Sequence, residues 1–352
     1  MAHVENAPGL NLSERIYRLL LHMYPVHYRK QYGQLMVQAF RDLSREAYVE
    51  HGFPELTKVW AHTLADVATT VVSEHADVLL NGGPGPDYSV PAVELSNVSK
   101  GFATRAGPLR PTLIDINLTV NSGEFVAIVG PTGCGKTTLL ALIAGLDRPN
   151  FGQVSVMGQP VEDTSRHVGY IFQKDALFPW RTVLNNVLVG PIFRGVALDE
   201  ALFFAHDWIR RVGLSGFEHY YPHQLSGGMR KRVALAQSLI IKPAVLLMDE
   251  PFSDLDVQTR ALMEEDLLEL CASTRVSVVY VTQDIEEAIT LANSIVVMTT
   301  GPARIKKTYS VDIPRPAKTT DIRFHARFGD LYRQIRDDLR SEVLKTYDYH
   351  YI

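Results

Sequence analysis

The stretch "FVAIVGPTGCGKTTLLALIAG", residues 125–145, decides how this chain is built. Five apolar residues lead into G-x-x-x-x-G-K-T, Gly130 to Thr137, and an apolar segment of helical period follows at once. Strand, glycine-rich turn and helix in direct succession are the context in which that spacing binds phosphate. Glycine lets the backbone wrap closely, so that successive N–H groups and the helix N-terminus face an anion. Along Gly130, Pro131, Thr132, Gly133, Cys134, Gly135, Lys136, Thr137 and Thr138, two side chains carry particular chemistry. Lys136 is expected to reach the β- and γ-phosphates of a nucleotide, and the Thr137 hydroxyl to meet Mg²⁺.

A second stretch completes the first. In "AVLLMDEP", residues 244–251, an apolar run lifts Asp249 and Glu250 to the carboxyl end of a strand, where ligands gather in open α/β sheets. Two acids after a strand often do no more than begin a turn. Next to a phosphate loop they suit two tasks, Asp249 organising Mg²⁺ and Glu250 polarising an attacking water.

Outward from these stretches the chain divides by texture. "NGGPGPDYSVPA", residues 81–92, packs glycine and proline together and reads as a linker. Residues 1–80 read as a small all-helical module, with apolar residues at helical spacing: Ile16, Leu19 and Leu20; Leu35, Met36, Ala39, Phe40 and Leu43; then Leu56, Val59, Trp60 and Leu64 after Pro54. Six of the twelve histidines fall there without metal-ligand spacing. Beyond the linker, "HVGYIF" (167–172), "VSVVYVT" (276–282) and "SIVVMT" (294–299) join the two runs already quoted as buried strands, most of them separated by helical segments. An α/β domain with a mostly parallel sheet is expected over 93–310. Phe328, Leu331, Ile335, Leu339 and Val343 mark an amphipathic helix in a tail, 311–352.

Composition narrows the partners. The 352 residues are 46% hydrophobic and 21% charged, with a formal net charge of −4, which argues against a broad nucleic-acid-binding surface. The cysteines, Cys134 and Cys271, are too few for a disulfide framework and fit a reducing cytoplasm. No apolar run reaches the roughly 18 residues that span a bilayer. The best candidate, residues 59–80, is interrupted by His62, Asp66, Glu74 and Asp77. Work at a membrane would need another chain to hold this one there.

"HQLSGGMRKRVALAQSLI", residues 223–240, separates this chain from other phosphate-loop proteins. The stretch resembles the signature segment of ATP-binding-cassette (ABC) ATPases, and the resemblance covers about residues 93–310. Ser226, Gly227 and Gly228 offer a hydroxyl and backbone N–H groups at a helix N-terminus, a second anion site. In that family the segment meets the γ-phosphate of ATP held on the opposite subunit, so a dimer with two composite sites is implied. The resemblance further implies that Phe102 stacks on adenine, where tyrosine is more usual; a core aromatic is the competing reading. It implies that Gln173 senses Mg²⁺ and the attacking water, and that Asp256, ending "SDLD", crosses the dimer interface.

Three departures qualify the transfer. Gln283, in "VVYVTQDIEEA" (278–288), stands where the family's switch histidine belongs, Lys231 where glutamine is common, and Gln237 where arginine is common. The latter two are expected to be absorbed by the surface. A Gln283 amide can donate and accept but cannot become cationic, so slowed turnover is expected more than lost ATP binding.

"ALFPWRTVLNNVLVG" (176–190), residues 139–161 and "SVDIPRPAK" (310–318) look most like the ATPases of nitrate, sulfonate and taurine import. That resemblance implies a second ATPase subunit, a membrane permease, a solute-binding protein acting through it, and a place on the cytoplasmic face of the inner membrane. "ERIYRLLLHMYPVHYRKQYGQLMVQAFRDL" (14–43) is similar to helical prefixes ahead of some bacterial ABC permeases; docking, regulation and a passive cap all stay open. A hydrolysis-impaired regulatory subunit and a soluble non-transport ABC ATPase are the alternatives.

Overall fold

The computed structural model describes residues 89–348 except 105–106, 175 and 315–318, together with Tyr17, Leu20, Val37, Phe40, Arg41, Ser44, Trp60 and Thr63. By internal contacts the chain forms two units, Met1–Gly85 and Pro86–Ile352. In the first, the eight described residues are helical. Phe40 is buried, stacks on Tyr17 at 4.2 Å and meets Trp60 edge-on at 5.1 Å. Aromatic side chains from three separate parts of the sequence thus share one core, with Val37 also buried. Of the apolar positions expected there, Leu20, Phe40 and Trp60 are described; the rest, like residues 81–88 of the linker, lie outside the described residues.

The second unit opens with a feature that apolar runs do not reveal. Strands β1 (Val93–Thr104) and β2 (Gly107–Val120) pair antiparallel. Ahead of β1, Ala92 is fully buried and its N–H donates to Val120 at 2.8 Å, so the last residue of the expected linker belongs to the sheet. Next come β3 (Phe125–Val129), helix α1 (Lys136–Ile143), β4 (Phe151–Val156), β5 (Gln159–Pro160) and β6 (Val168–Ile171). A four-stranded antiparallel sheet forms in the order β2-β1-β4-β5. Its strands mix buried and exposed residues or, in β5, are exposed, a pattern weaker in hydropathy than the continuous runs of the other sheet.

A helical segment follows: α2 (Val183–Val187), α3 (Val189–Phe193), α4 (Leu198–Arg211) and α5 (Gly227–Leu239). The chain then returns through β7 (Val245–Asp249), α6 (Val257–Thr274), β8 (Ser277–Thr282), α7 (Ile285–Leu291), β9 (Ser294–Met298), β10 (Ile305–Ser310) and α8 (Ala326–Asp348). The main sheet runs β10-β9-β3-β8-β7-β6, parallel except for the edge strand β10. All five residues of β3 and all six of β8 are buried, as strands covered on both faces must be.

The tail helix α8 buries Phe328, Leu331 and Ile335, but the last buried residue among its described side chains is Glu342, 1% exposed, while Val343 is exposed. Lys306 at 3.1 Å and Lys345 at 2.8 Å satisfy that carboxylate, and the Thr300 N–H donates to it at 3.3 Å. A carboxylate this deep is retained only when paired. No helix among the described residues is long and apolar enough to cross a membrane.

Candidate functional site

Strand register assembles the site. Val129, the last residue of β3, pairs with Thr282, the last of β8, and Asp249, the last of β7, pairs with Val281. Neighbouring strands lie about 4.8 Å apart, so Gly130, Gln283 and Glu250 leave the sheet side by side at its carboxyl edge. Ile171 of β6 pairs with Met248, which brings Gln173 to the same edge. The expected catalytic residues, scattered over more than a hundred positions, meet because of this row.

The phosphate loop itself is preformed. Gly135 caps α1 with φ 111°, and a Cβ there would lie 2.8 Å from Leu113 Cδ2 and 3.0 Å from Thr112 Cγ2. Both the left-handed backbone and the close approach demand glycine. Lys136 is buried and curls back, its ammonium donating to the carbonyls of Gly130 at 2.9 Å and Pro131 at 3.1 Å. The Cys134 N–H donates to Pro131 at 3.3 Å; its side chain is buried, and burial pushes the thiol up. The Cys134 thiol is thereby held away from the thiolate form that reacts.

Around this loop the polar groups form a chain. Gln283 Nε2 donates to Glu250 Oε1 at 2.7 Å, and its Oε1 accepts from Thr132 Oγ1 at 3.2 Å. Gln173 Nε2 donates to the other Glu250 oxygen at 3.4 Å. Glu250 has φ 43°, an uncommon conformation for a residue with a Cβ, and its N–H is fixed to Val281 O at 2.8 Å. The Thr137 hydroxyl lies beside the Asp249 carboxyl. Burial is the largest influence on the Asp249 carboxyl and holds it above the usual range; the Glu250 charge adds to this, while Thr137 and Lys136 pull the other way.

Behind the edge, buried Glu287 accepts from Tyr280 at 2.5 Å and from Thr282. Asp284 caps α7, its Oδ1 accepting from Glu286 N at 2.9 Å, and it pairs with Arg260 at 3.3 Å. These contacts fix the residues on both sides of Gln283. Nothing in their spacing announces them.

Ser226, Gly227, Gly228 and Asp256 form a second group. Ser226 caps α5 and accepts from Met229 N at 3.3 Å. A Cβ on Gly228 would lie 2.8 Å from Thr259 Cγ2, so the start of α5 rests against the start of α6. Asp256 caps α6, accepting from Gln258 N at 3.1 Å and Thr259 N at 3.0 Å. The Thr259 N–H, then its hydroxyl, hold the Asp256 carboxyl below its usual range.

Phe102 lies on β1 and is 46% exposed with Lys100 Nζ 5.1 Å from its ring centre, which removes the core-aromatic reading. One expectation is corrected. Lys231 is not absorbed by the surface: it is 4% exposed, and its ammonium donates to Gln173 O at 2.8 Å. The helix that carries it packs against β6, which leads into Gln173, so this side chain faces inward. Gln237 is half-buried.

A preformed phosphate loop after β3, two acids at the end of β7 with β8 between them, and a serine-capped glycine helix define a phosphate-loop nucleotide-binding cassette. Comparison with known proteins makes the family definite. The ABC transporter family model matches residues 113–253. The chain is 37% identical over 257 residues to the aliphatic sulfonates import ATP-binding protein SsuB of Bacillus cereus, across 73% of this chain and 96% of that one. It is 39% identical over 247 residues to the taurine import ATP-binding protein TauB of Yersinia pestis, across 68% and 96%. A solved dimeric ATP-binding cassette, in a post-hydrolysis state bound to ADP and Pi, superposes with TM-score 0.56 at 31% identity, covering 62% of this chain and 98% of that one. The chain belongs to the ABC transporter family, as an ATP-binding cassette and ATPase.

Proposed function

We propose that this chain hydrolyses ATP in a pair of composite sites and couples that hydrolysis, through a membrane permease, to import of a small anion or organic solute such as nitrate, a sulfonate or taurine. The observation that carries the reading is the register row that sets Gly130, Glu250 and Gln283 on adjacent strand ends. The names of the two import relatives support the transport half. A solute-binding protein acting through the permease, and attachment to the inner face of the membrane, follow from the same likeness.

The loop N–H groups and the ammonium of Lys136 hold the β- and γ-phosphates. Lys136 now bonds neutral carbonyls, and a phosphate oxygen offers a charged and stronger acceptor. Phe102 provides an exposed face for the base. Thr137 and Asp249 lie beside each other and present oxygen donors only, which fits a hard cation such as Mg²⁺. When bound, Mg²⁺ neutralises charge on the β- and γ-phosphate oxygens. Glu250 takes a proton from water as the water oxygen bonds to the γ-phosphorus, and the bond to the leaving ADP oxygen breaks. Gln173 and Gln283 hold that carboxylate from both sides. Ser226, Gly227, Gly228 and Asp256 complete the site of the partner subunit.

One observation favours a second reading. Gln283 cannot become cationic at the switch position, so a hydrolysis-impaired regulatory subunit is the alternative. Two variants test the proposal. Lys136→Ala should abolish tight MgATP binding by calorimetry. Glu250→Gln should keep ATP, lose about 10²- to 10⁴-fold in turnover and trap an ATP-dependent dimer on gel filtration. Parental hydrolysis by Glu250→Gln would remove Glu250 as the base.

A further inference from the structure

We infer that Lys231 is a positioning residue for ATP hydrolysis, tying the helix that bears the signature segment to the Gln173 backbone and so to the Glu250 carboxylate. The inference rests on the role proposed above for Gln173. Its ground is the buried ammonium of Lys231, 4% exposed, which donates to Gln173 O at 2.8 Å. An ammonium taken out of water must be hydrogen-bonded, so this contact resists exchange for solvent.

The surroundings of Gln173 give the contact its consequence. Phe172, Gln173 and Lys174 are exposed, and no regular element contains Gln173. The Phe172 ring stacks on Tyr170 at 4.2 Å, which fixes the strand side of the segment. Lys231 pins the following residue from the inside. Across the same residue, Gln173 Nε2 donates to Glu250 Oε2 at 3.4 Å. That distance is near the outer limit for a hydrogen bond, so a small movement of the backbone makes or breaks it.

The other end of the link is rigid. Lys231 lies about 6 Å along α5 from its first residue, on the helix whose N-terminus Ser226 caps. Movement of that N-terminus against a partner's phosphate is therefore carried, through one side chain, to the residue that orients the base. Lys231 touches neither nucleotide nor water in this scheme. The family's commoner glutamine is a shorter donor and would make the same link less tautly.

The test is a double-mutant cycle on the full-length chain, reading phosphate release against MgATP concentration. Lys231→Met should lower kcat about 10- to 100-fold, with KM for MgATP changed less than about twofold. Lys231→Gln keeps a donor and should return to within about fivefold of the parent. In a Gln173→Ala background, adding Lys231→Met should cost less than about twofold more, because the link then ends on nothing. Amide exchange over residues 172–174 reads the anchor without turnover: it should rise in Lys231→Met and stay near parental in Lys231→Gln. If Lys231→Met fails to fold, the same cycle is read with Lys231→Ala, which also removes the donor, and coupling to Gln173→Ala supports the link. Additive losses in either cycle, or unchanged exchange in Lys231→Met, overturn it. A Gln173→Ala variant with parental turnover would instead fault the role of Gln173. Slow Gln173→Ala beside fast Lys231→Met would fault Lys231 alone.

Discussion

Gln283 Nε2 lies 2.7 Å from Glu250 Oε1, while the carbonyl oxygen of the same amide accepts from Thr132 at 3.2 Å. The residue at the switch position thus spans from the phosphate loop to Glu250, the acid proposed as the base. An amide performs this span because it donates at one end and accepts at the other. Asp256, the acid expected to cross the dimer interface, caps α6 within its own chain.

Gln283→Ala should therefore release Glu250 and lower turnover about 10²-fold, with MgATP affinity nearly unchanged. Gln283→His should raise turnover about tenfold, since an imidazole is stiffer and can carry charge. Phosphate release at saturating ATP checks both. No gain with histidine and an inert parent would favour the regulatory reading.

The Glu250 backbone adopts a left-handed conformation, φ 43°. Such a conformation costs about 1–2 kcal/mol in a residue with a Cβ. Glu250→Gly should be more stable than Glu250→Ala by about 1 kcal/mol, although both lose hydrolysis. Equal melting temperatures for the two variants would show that the backbone there is unstrained.

Glu264 on α6 is 4% exposed, and its carboxyl is pushed up to about 7 from 4.5, first by burial and then by the Glu287 charge. Asp284 adds to the effect, whereas Arg323 and Arg260 oppose it. The folded chain keeps this proton between pH 4.5 and 7 while the unfolded chain releases it, so stability falls as pH rises through that window. The loss contributed by this group is at most about 3 kcal/mol. Glu264→Gln should flatten the slope and stabilise the chain more at pH 8 than at pH 5, as read by denaturant unfolding. An equal gain at both values would assign the effect to another group.

Removing residues 1–85 should leave a soluble chain that binds ATP with parental affinity, since Met1–Gly85 and Pro86–Ile352 hold their own internal contacts. Gel filtration and calorimetry are the measurements. An aggregated product would mean that the helices cover apolar surface of the cassette.

Much of the nucleotide site was legible because it is local. Strand, loop and helix succeed one another within residues 125–145, and glycine at Gly135 announces a backbone that no other residue adopts cheaply. The same holds for Asp249 and Glu250 at the end of an apolar run, and for the serine cap before Gly227 and Gly228. The antiparallel sheet was not legible, because half-exposed strands such as β1 and β4 lack a continuous apolar run. Nor was Glu342, a charged residue on the buried stripe of α8 where Val343 was the expected apolar contact.

By itself, then, the sequence determined a phosphate loop, a strand-end pair of acids and a capped glycine helix, each written in residues close enough to read as one local pattern. Only the tertiary structure decided that Gln283 reaches both Glu250 and Thr132, and that the cation of Lys231 faces inward onto Gln173 rather than outward to water. The physical reason is range. Turns, caps and periodicity are governed by neighbours along the chain, whereas register between β3, β7 and β8, and the burial of one polar side chain, are set by residues that meet only once the sheet has closed.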